Sequence, residues 1–337
     1  GTLSAAKDNA VFICHALTGD AHAAGFHEGA KRPGWWDNLI GPGKPLDTDR
    51  FFVISANLLG GCQGTTGPSS IDPATGRAHG LEFPLLDMAD FVTVHRALLA
   101  HLGIERLLAA LGGSLGGMQV LDWSLRHPEQ VTNAAIVAAS SRLTAQNIAF
   151  SAVARRAIMD DPDFHDGRYA ERGVVPRLGL RTARMMAHIT YLSEDAFSEK
   201  FGRTPHPERD KPGFGIDFAV ESYLDHQGKV FLERFDALSY LYLSRVMDYF
   251  DPFSRPDPVQ RIMADPVNFL VLSFNTDWRF STEHSRRIVR HLENARQPVT
   301  FRDIPSSWGH DSFLLPVQRY HDTLRAWFDR SLREGVR

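Results

Sequence analysis

The sequence predicts an α/β protein, a doubly wound and mostly parallel sheet with an inserted helical lid domain, and three observations carry that expectation. Short continuous apolar runs, rich in β-branched and aromatic residues, recur with the length of buried parallel strands. Helical patterns stand between them, which calls for right-handed crossovers with helices packed on the sheet. From about residue 141 to residue 257 the alternation stops and one helical segment follows another. A chain of 337 residues with 43% hydrophobic content can bury a core of that size.

In chain order, the strand-like runs are 10–14, 51–56, 107–111, 132–138, 267–274 and 299–304. The helical patterns between and after them are 88–101, 118–126, which stops before His127-Pro128, 281–292 and 316–332. Within the insertion, 147–159, 178–191, 217–227 and 231–249 space their apolar residues for one or two buried faces, with Pro- and Gly-containing joints. The expected division is therefore a first part of the core at 1–141, a helical lid at 142–258 and the rest of the core at 259–337. A separate helical domain with its own partner is the alternative for the middle part. The Pro/Gly-rich stretches 32–45 and 60–80 read as loops of the long kind that often carry function. The first strand lies so near Gly1 that the outer strands usual in such a sheet have no room, and a preceding N-terminal segment is expected.

Composition removes several function classes. The net charge is −3 with mixed signs and no Lys/Arg block, so nothing favours nucleic acid or an anionic membrane surface. No apolar run approaches the roughly 20 residues that span a bilayer, and the first residues lack the layout of a signal peptide. Cys14 and Cys62 form no C-x-x-C or Cys/His pattern, which fits reduced thiols and a cytoplasmic location. His15, His22 and His27 lack zinc-ligand spacing, and no metal is expected. A small-molecule substrate is the partner class that remains.

The chemistry begins at Leu111-Gly112-Gly113-Ser114-Leu115-Gly116-Gly117. A G-x-S-x-G pattern between a strand and a helix is the nucleophile elbow of α/β-hydrolase-fold enzymes, which holds the serine hydroxyl at the carboxyl edge of the sheet. A serine is a poor nucleophile at neutral pH, so it needs a histidine base, and the imidazole needs a carboxylate to orient it. In this fold the order along the chain is Ser, Asp or Glu, His. Asp277 follows the run 267–274 and His310 follows 299–304, both just past strand ends. The plainer readings are a helix N-cap for Asp277 and a loop histidine for His310. An oxyanion needs two backbone N–H donors, and by position these are Leu115, after the nucleophile, and Leu17, in the loop after the first strand.

With the elbow, seven segments stand in order along the chain: His15-Ala16-Leu17-Thr18-Gly19-Asp20, Pro33-Gly34-Trp35-Trp36, Gly41-Pro42-Gly43, Leu59-Gly60-Gly61-Cys62, Gly67-Pro68-Ser69-Ser70, residues 112–119 and Gly309-His310-Asp311. Together they resemble the homoserine O-acyltransferases of the α/β-hydrolase fold, the MetX type. The resemblance implies ping-pong acyl transfer from an acyl-CoA co-substrate to the hydroxyl of L-homoserine, in methionine biosynthesis, with no permanently bound cofactor. It also implies a homodimer built through the helical lid. The family's substrate arginine falls in Gly179-Leu180-Arg181-Thr182-Ala183-Arg184, so Arg184 is implied to pair with the homoserine carboxylate and Asp311 to take its ammonium group. An ion pair within the lid is the plainer reading of Arg184.

The acyl donor divides the family, and Arg279 bears on it. Two residues after Asp277, its guanidinium would lie beside the acyl group, where succinyl offers a carboxylate and acetyl offers nothing to bind. Relatives resembling acetyltransferases usually carry an apolar residue there, and Leu115 often stands as Met in them. Succinyl-CoA is therefore expected as donor, with acetyl-CoA as the alternative and a surface ion pair as the plainer reading of Arg279. L-Serine, one methylene shorter than homoserine, is the alternative acceptor, since one methylene discriminates by only about 1–3 kcal/mol. Water would be the acceptor in an esterase of the same fold.

Overall fold

Apolar side chains alternate between the two faces of each predicted strand, so a single sheet must build two cores. In the computed structural model, which describes residues 1–208 and 211–335, that is the arrangement. Six strands, β1 (Ala10–Cys14), β2 (Phe52–Ser55), β3 (Leu107–Gly113), β4 (Val131–Val137), β5 (Asn268–Phe274) and β6 (Val299–Ile304), pair in the order β2-β1-β3-β4-β5-β6. Every pair is parallel. Phe12 and Ala110 enter one core with Phe91, Trp123 and Ile288, while Val11, Ile13 and Leu111 enter the other with Trp36, Tyr320 and Phe328.

The first core is covered by α1 (Met88–Leu102), α2 (Leu115–Arg126) and α9 (Thr282–Asn294), the second by α10 (Gln318–Glu334) and the loop around Trp36. Between β4 and β5 the chain runs through α3 (Ala145–Met159), α4 (Arg177–Tyr191), α5 (Glu194–Lys200), α6 (Ala219–Phe231), α7 (Ala237–Tyr249) and α8 (Pro256–Ala264). α3 and α4 cross backbone to backbone at Gly179, where a Cβ would come within 2.2 Å of the Ala157 carbonyl oxygen.

Three elements differ from expectation. The run 231–249 is not one helix: it holds the last residue of α6, a turn at 232–236 and then α7, which starts afresh where the Asp236 carboxylate accepts the Ser239 amide at 2.9 Å. α5 is a short helix capped by the Ser193 hydroxyl, too brief to leave a periodic pattern. α8 begins at Arg255-Pro256 and packs against α2 beside the sheet. Among the described residues no helix is long and apolar enough to cross a membrane.

Candidate active site

The turn between β3 and α2 is forced into shape by its glycines. A Cβ on Gly116 would sit 2.0 Å from the Cys14 carbonyl oxygen, and one on Gly112 would sit 2.3 Å from the Gly116 backbone. With both absent, strand and helix meet in backbone contact, and Ser114 between them takes φ 58°, ψ −124°, a strained conformation for a residue with a side chain. Its amide is held by the Val137 carbonyl at 2.9 Å.

That strain points the Ser114 hydroxyl at His310. Ser114 Oγ lies 2.9 Å from His310 Nε2, and His310 Nδ1 lies 2.7 Å from Asp277 Oδ2. The other Asp277 oxygen accepts the Phe280 amide at 2.8 Å, so the carboxylate is fixed and faces the imidazole. The proton on His310 therefore sits on Nδ1, and Nε2 is free to accept from the serine. The loops after β5 and β6 are stitched together by Thr276, whose hydroxyl donates to the Ser306 carbonyl and accepts the Gly309 amide. Phe280 and Phe313 wall the imidazole at ring distances of 5.2 and 5.4 Å, and Tyr191 of α4 stands at 6.0 Å.

Both expected oxyanion donors are available. Leu115 is the first residue of α2, where an N–H has no intrahelical acceptor. The Leu17 amide makes no hydrogen bond among the described residues and lies in a turn closed by Gly19 N to Ala16 O at 2.9 Å. Leu17, Thr18, Ser114, Arg279, His310 and Asp311 line one cavity.

Arg184 does not behave as a lid ion pair. One turn earlier, Arg181 takes that part by pairing with Asp225 of α6. Arg184 is buried with no carboxylate at ion-pair distance among the described residues. Its Nη1 meets Thr18 Oγ1 at 3.2 Å, and its Nε has no partner. The guanidinium lies 4.7 Å above the Phe231 ring and 5.7 Å above that of Tyr191. Asp311 lies in the segment after β6 that packs against α4, where loss of hydration pushes its carboxyl up to about 6, with the charges of His310 and Arg184 working against the rise.

Arg279 is not a surface residue either. Only 8% exposed, it donates from Nη1 to Thr190 Oγ1 at 2.8 Å and lies 5.6 Å from the ring centres of both Tyr191 and Phe280. Its own carbonyl accepts Asn147 Nδ2 from α3 at 3.1 Å. No carboxylate lies at ion-pair distance among the described residues.

Sequence reasoning missed Tyr191, whose ring is touched by the guanidiniums of both Arg184 and Arg279. It lies seven residues after Arg184 on the same helix face, a spacing that was available to be read. His188 was also missed. Burial and the nearby Arg184 charge push its imidazole down to about 3, and Nδ1 lies 3.3 Å from the Tyr223 hydroxyl. Among the described residues no group of three His, Cys, Asp or Glu side chains is placed to hold a metal.

Residues 9–316 match the family described as the alpha/beta hydrolase fold. The homoserine O-succinyltransferase of a Nocardioides species is 59% identical over 324 residues, 96% of this chain and 88% of that protein. That of Magnetococcus marinus is 55% identical over 341 residues, 98% of this chain and 86% of that one. Among solved structures, the homoserine O-acetyltransferase from Bacillus anthracis superposes with a TM-score of 0.89 at 25% identity, covering 98% of this chain and 90% of its own. Esterase E22 superposes at 0.88 with 30% identity, covering 97% and 92%.

Proposed function

The chain belongs to the α/β-hydrolase fold family and, within it, to the homoserine O-acyltransferases, and on that premise we propose that it transfers succinyl from succinyl-CoA to L-homoserine through an acyl-Ser114 intermediate. In the first half-reaction His310 Nε2 takes the Ser114 proton as Oγ attacks the thioester carbonyl. Leu17 and Leu115 amides receive the oxyanion, and collapse of the tetrahedral species expels coenzyme A, which takes the proton back from His310. In the second, His310 takes the homoserine hydroxyl proton, that oxygen attacks the acyl carbonyl, and Ser114 leaves with the proton. Asp277 holds the imidazole tautomer through both steps.

The observation that carries the donor is Arg279, a buried guanidinium on the cavity of Ser114 with only a threonine hydroxyl as side-chain partner. A succinyl carboxylate would supply the missing counter-charge, a contact worth about 1.5–3 kcal/mol, or roughly 10- to 150-fold over acetyl. For the acceptor, Arg184 offers a guanidinium to the homoserine carboxylate and Asp311 an anion to its ammonium. Holding the acceptor in this way raises its effective concentration over water, which separates transfer from the hydrolysis that the same triad permits. The exposed apolar side chains Ile148, Val153, Leu178 and Ile189 on the packed pair α3 and α4 support a homodimer through the lid. The reaction belongs to methionine biosynthesis in the cytoplasm, with acyl-CoA as a co-substrate and no bound cofactor or metal.

Intact-mass measurement tests the mechanism. Succinyl-CoA without acceptor is expected to add one succinyl group to the protein, to leave Ser114→Ala unmodified, and to be discharged by L-homoserine. No acyl-enzyme, or discharge equally fast without homoserine, contradicts it.

A further inference from the structure

Between the elbow and the loop after β1 lies a fully buried amide that the mechanism above does not use. Gln119, one turn into α2, is 0% exposed. Its Nε2 lies 3.0 Å from the His15 carbonyl oxygen and 3.3 Å from that of Leu115. Two carbonyls accept only, so this end of the side chain must be the NH2 group. Oε1 then faces His95 Nε2 at 3.0 Å, and His95 must donate to it as a neutral imidazole protonated on Nε2. Burial holds His95 in that neutral form, pushing its pKa down to about 4, and its ring lies against Phe12 and Trp123 at 4.7 and 5.7 Å.

The two carbonyls belong to the two segments that carry the oxyanion donors. His15 O is two residues from the Leu17 amide, and Leu115 supplies the other. The His15 ring stiffens the same loop, with Nδ1 against the Ala16 carbonyl at 2.8 Å and Nε2 accepting the Leu58 amide at 3.1 Å. From the lid side, Arg184 and Arg234 hold Thr18, the latter through its carbonyl at 2.7 Å.

We propose that Gln119 is a positioning residue whose amide ties the elbow helix to the loop after β1 and so sets the separation of the Leu17 and Leu115 N–H groups. This rests on the reading of Ser114 and those two amides given above. Displacing one donor by about an ångström, or removing it, typically costs on the order of 100-fold in rate. The rate lost would be shared by every step that forms an oxyanion, whatever the acyl group or acceptor.

The test compares Gln119→Leu and Gln119→Glu with the unaltered protein. Gln119→Leu is expected to slow Ser114 acylation by succinyl-CoA, acyl transfer to homoserine and the acylation burst with p-nitrophenyl acetate by a common factor of roughly 10 to 100, with both KM values unchanged. In Gln119→Glu the buried carboxyl, while protonated, still donates to one carbonyl, so its rate relative to the unaltered protein falls as pH rises, whereas that of Gln119→Leu stays flat. Unchanged rates in Gln119→Leu, a loss confined to Tm, or a loss confined to the KM of one substrate would overturn the proposal. The p-nitrophenyl burst separates the two claims. If the unaltered protein ignores succinyl-CoA yet its burst slows in Gln119→Leu, the substrate reading fails and the positioning role stands.

Discussion

Arg279 Nη1 donates to Thr190 Oγ1 across 2.8 Å, tying the loop after β5 to the last turn of α4. Burying a guanidinium against a hydroxyl leaves its charge uncompensated, which is costly unless a ligand supplies the anion. Arg279→Leu is therefore expected to lower kcat/KM for succinyl-CoA by about 10- to 100-fold and to leave acetyl-CoA nearly unchanged. Thiol release with each donor reads the ratio. Equal losses with both donors would make Arg279 a fastener of the lid.

Arg184 has a similar unmet charge on the acceptor side. Arg184→Ala is expected to raise the KM for homoserine by about 10- to 100-fold, while Arg234, which still holds the Thr18 carbonyl, keeps the rate of Ser114 acylation intact. Steady-state kinetics and a single-turnover acylation measurement separate the two. An unchanged KM would remove the carboxylate-binding role.

Asp311 sets a pH dependence. Its folded-state carboxyl titrates at about 6, above the usual carboxylate range, so it is anionic above that pH and neutral below. The KM for homoserine should be flat above about pH 7 and rise as pH falls through 6, and Asp311→Asn should abolish that rise by making the KM high throughout. Because the raised pKa means that folding takes up a proton between the ordinary carboxylate value and 6, Asp311 destabilises the fold above that window. Asp311→Asn is accordingly expected to raise Tm at pH 8, measured by thermal melts.

Gly116→Ala tests the elbow. Its Cβ would meet the Cys14 carbonyl oxygen at 2.0 Å, and backbone cannot swing aside as a side chain does. Denaturant unfolding should show a loss of about 2 kcal/mol or more, with Ser114 acylation lost alongside it. Wild-type stability would mean that the crossing has slack.

The sheet was legible because parallel strands are buried on both faces and read as continuous apolar runs, so each of the six was located to within two residues of its observed ends. Ser114, Asp277 and His310 were legible for a related reason, since each stands just past a strand end in the order this fold uses. What the sequence hid was tertiary. Arg181 and Arg184 lie three apart on one helix, and only Asp225 on a different helix shows which of them is neutralised within the protein. Gln119 reads as one more residue of a helix until His15, 104 positions earlier, is brought against it. The break at 232–236 was masked because Phe231, Leu232 and Phe235 keep a helix-like apolar spacing up to the start of α7.

Succinyl transfer to homoserine is read from thiol release with succinyl-CoA and with acetyl-CoA, each with L-homoserine, with L-serine and with no acceptor. The predicted result is rapid multiple-turnover release with succinyl-CoA and homoserine, against a single equivalent per site when succinyl-CoA has no acceptor. Release as fast without any acceptor would contradict it and make the protein a hydrolase, while preference for acetyl-CoA would keep the acyl transfer and remove the role given to Arg279.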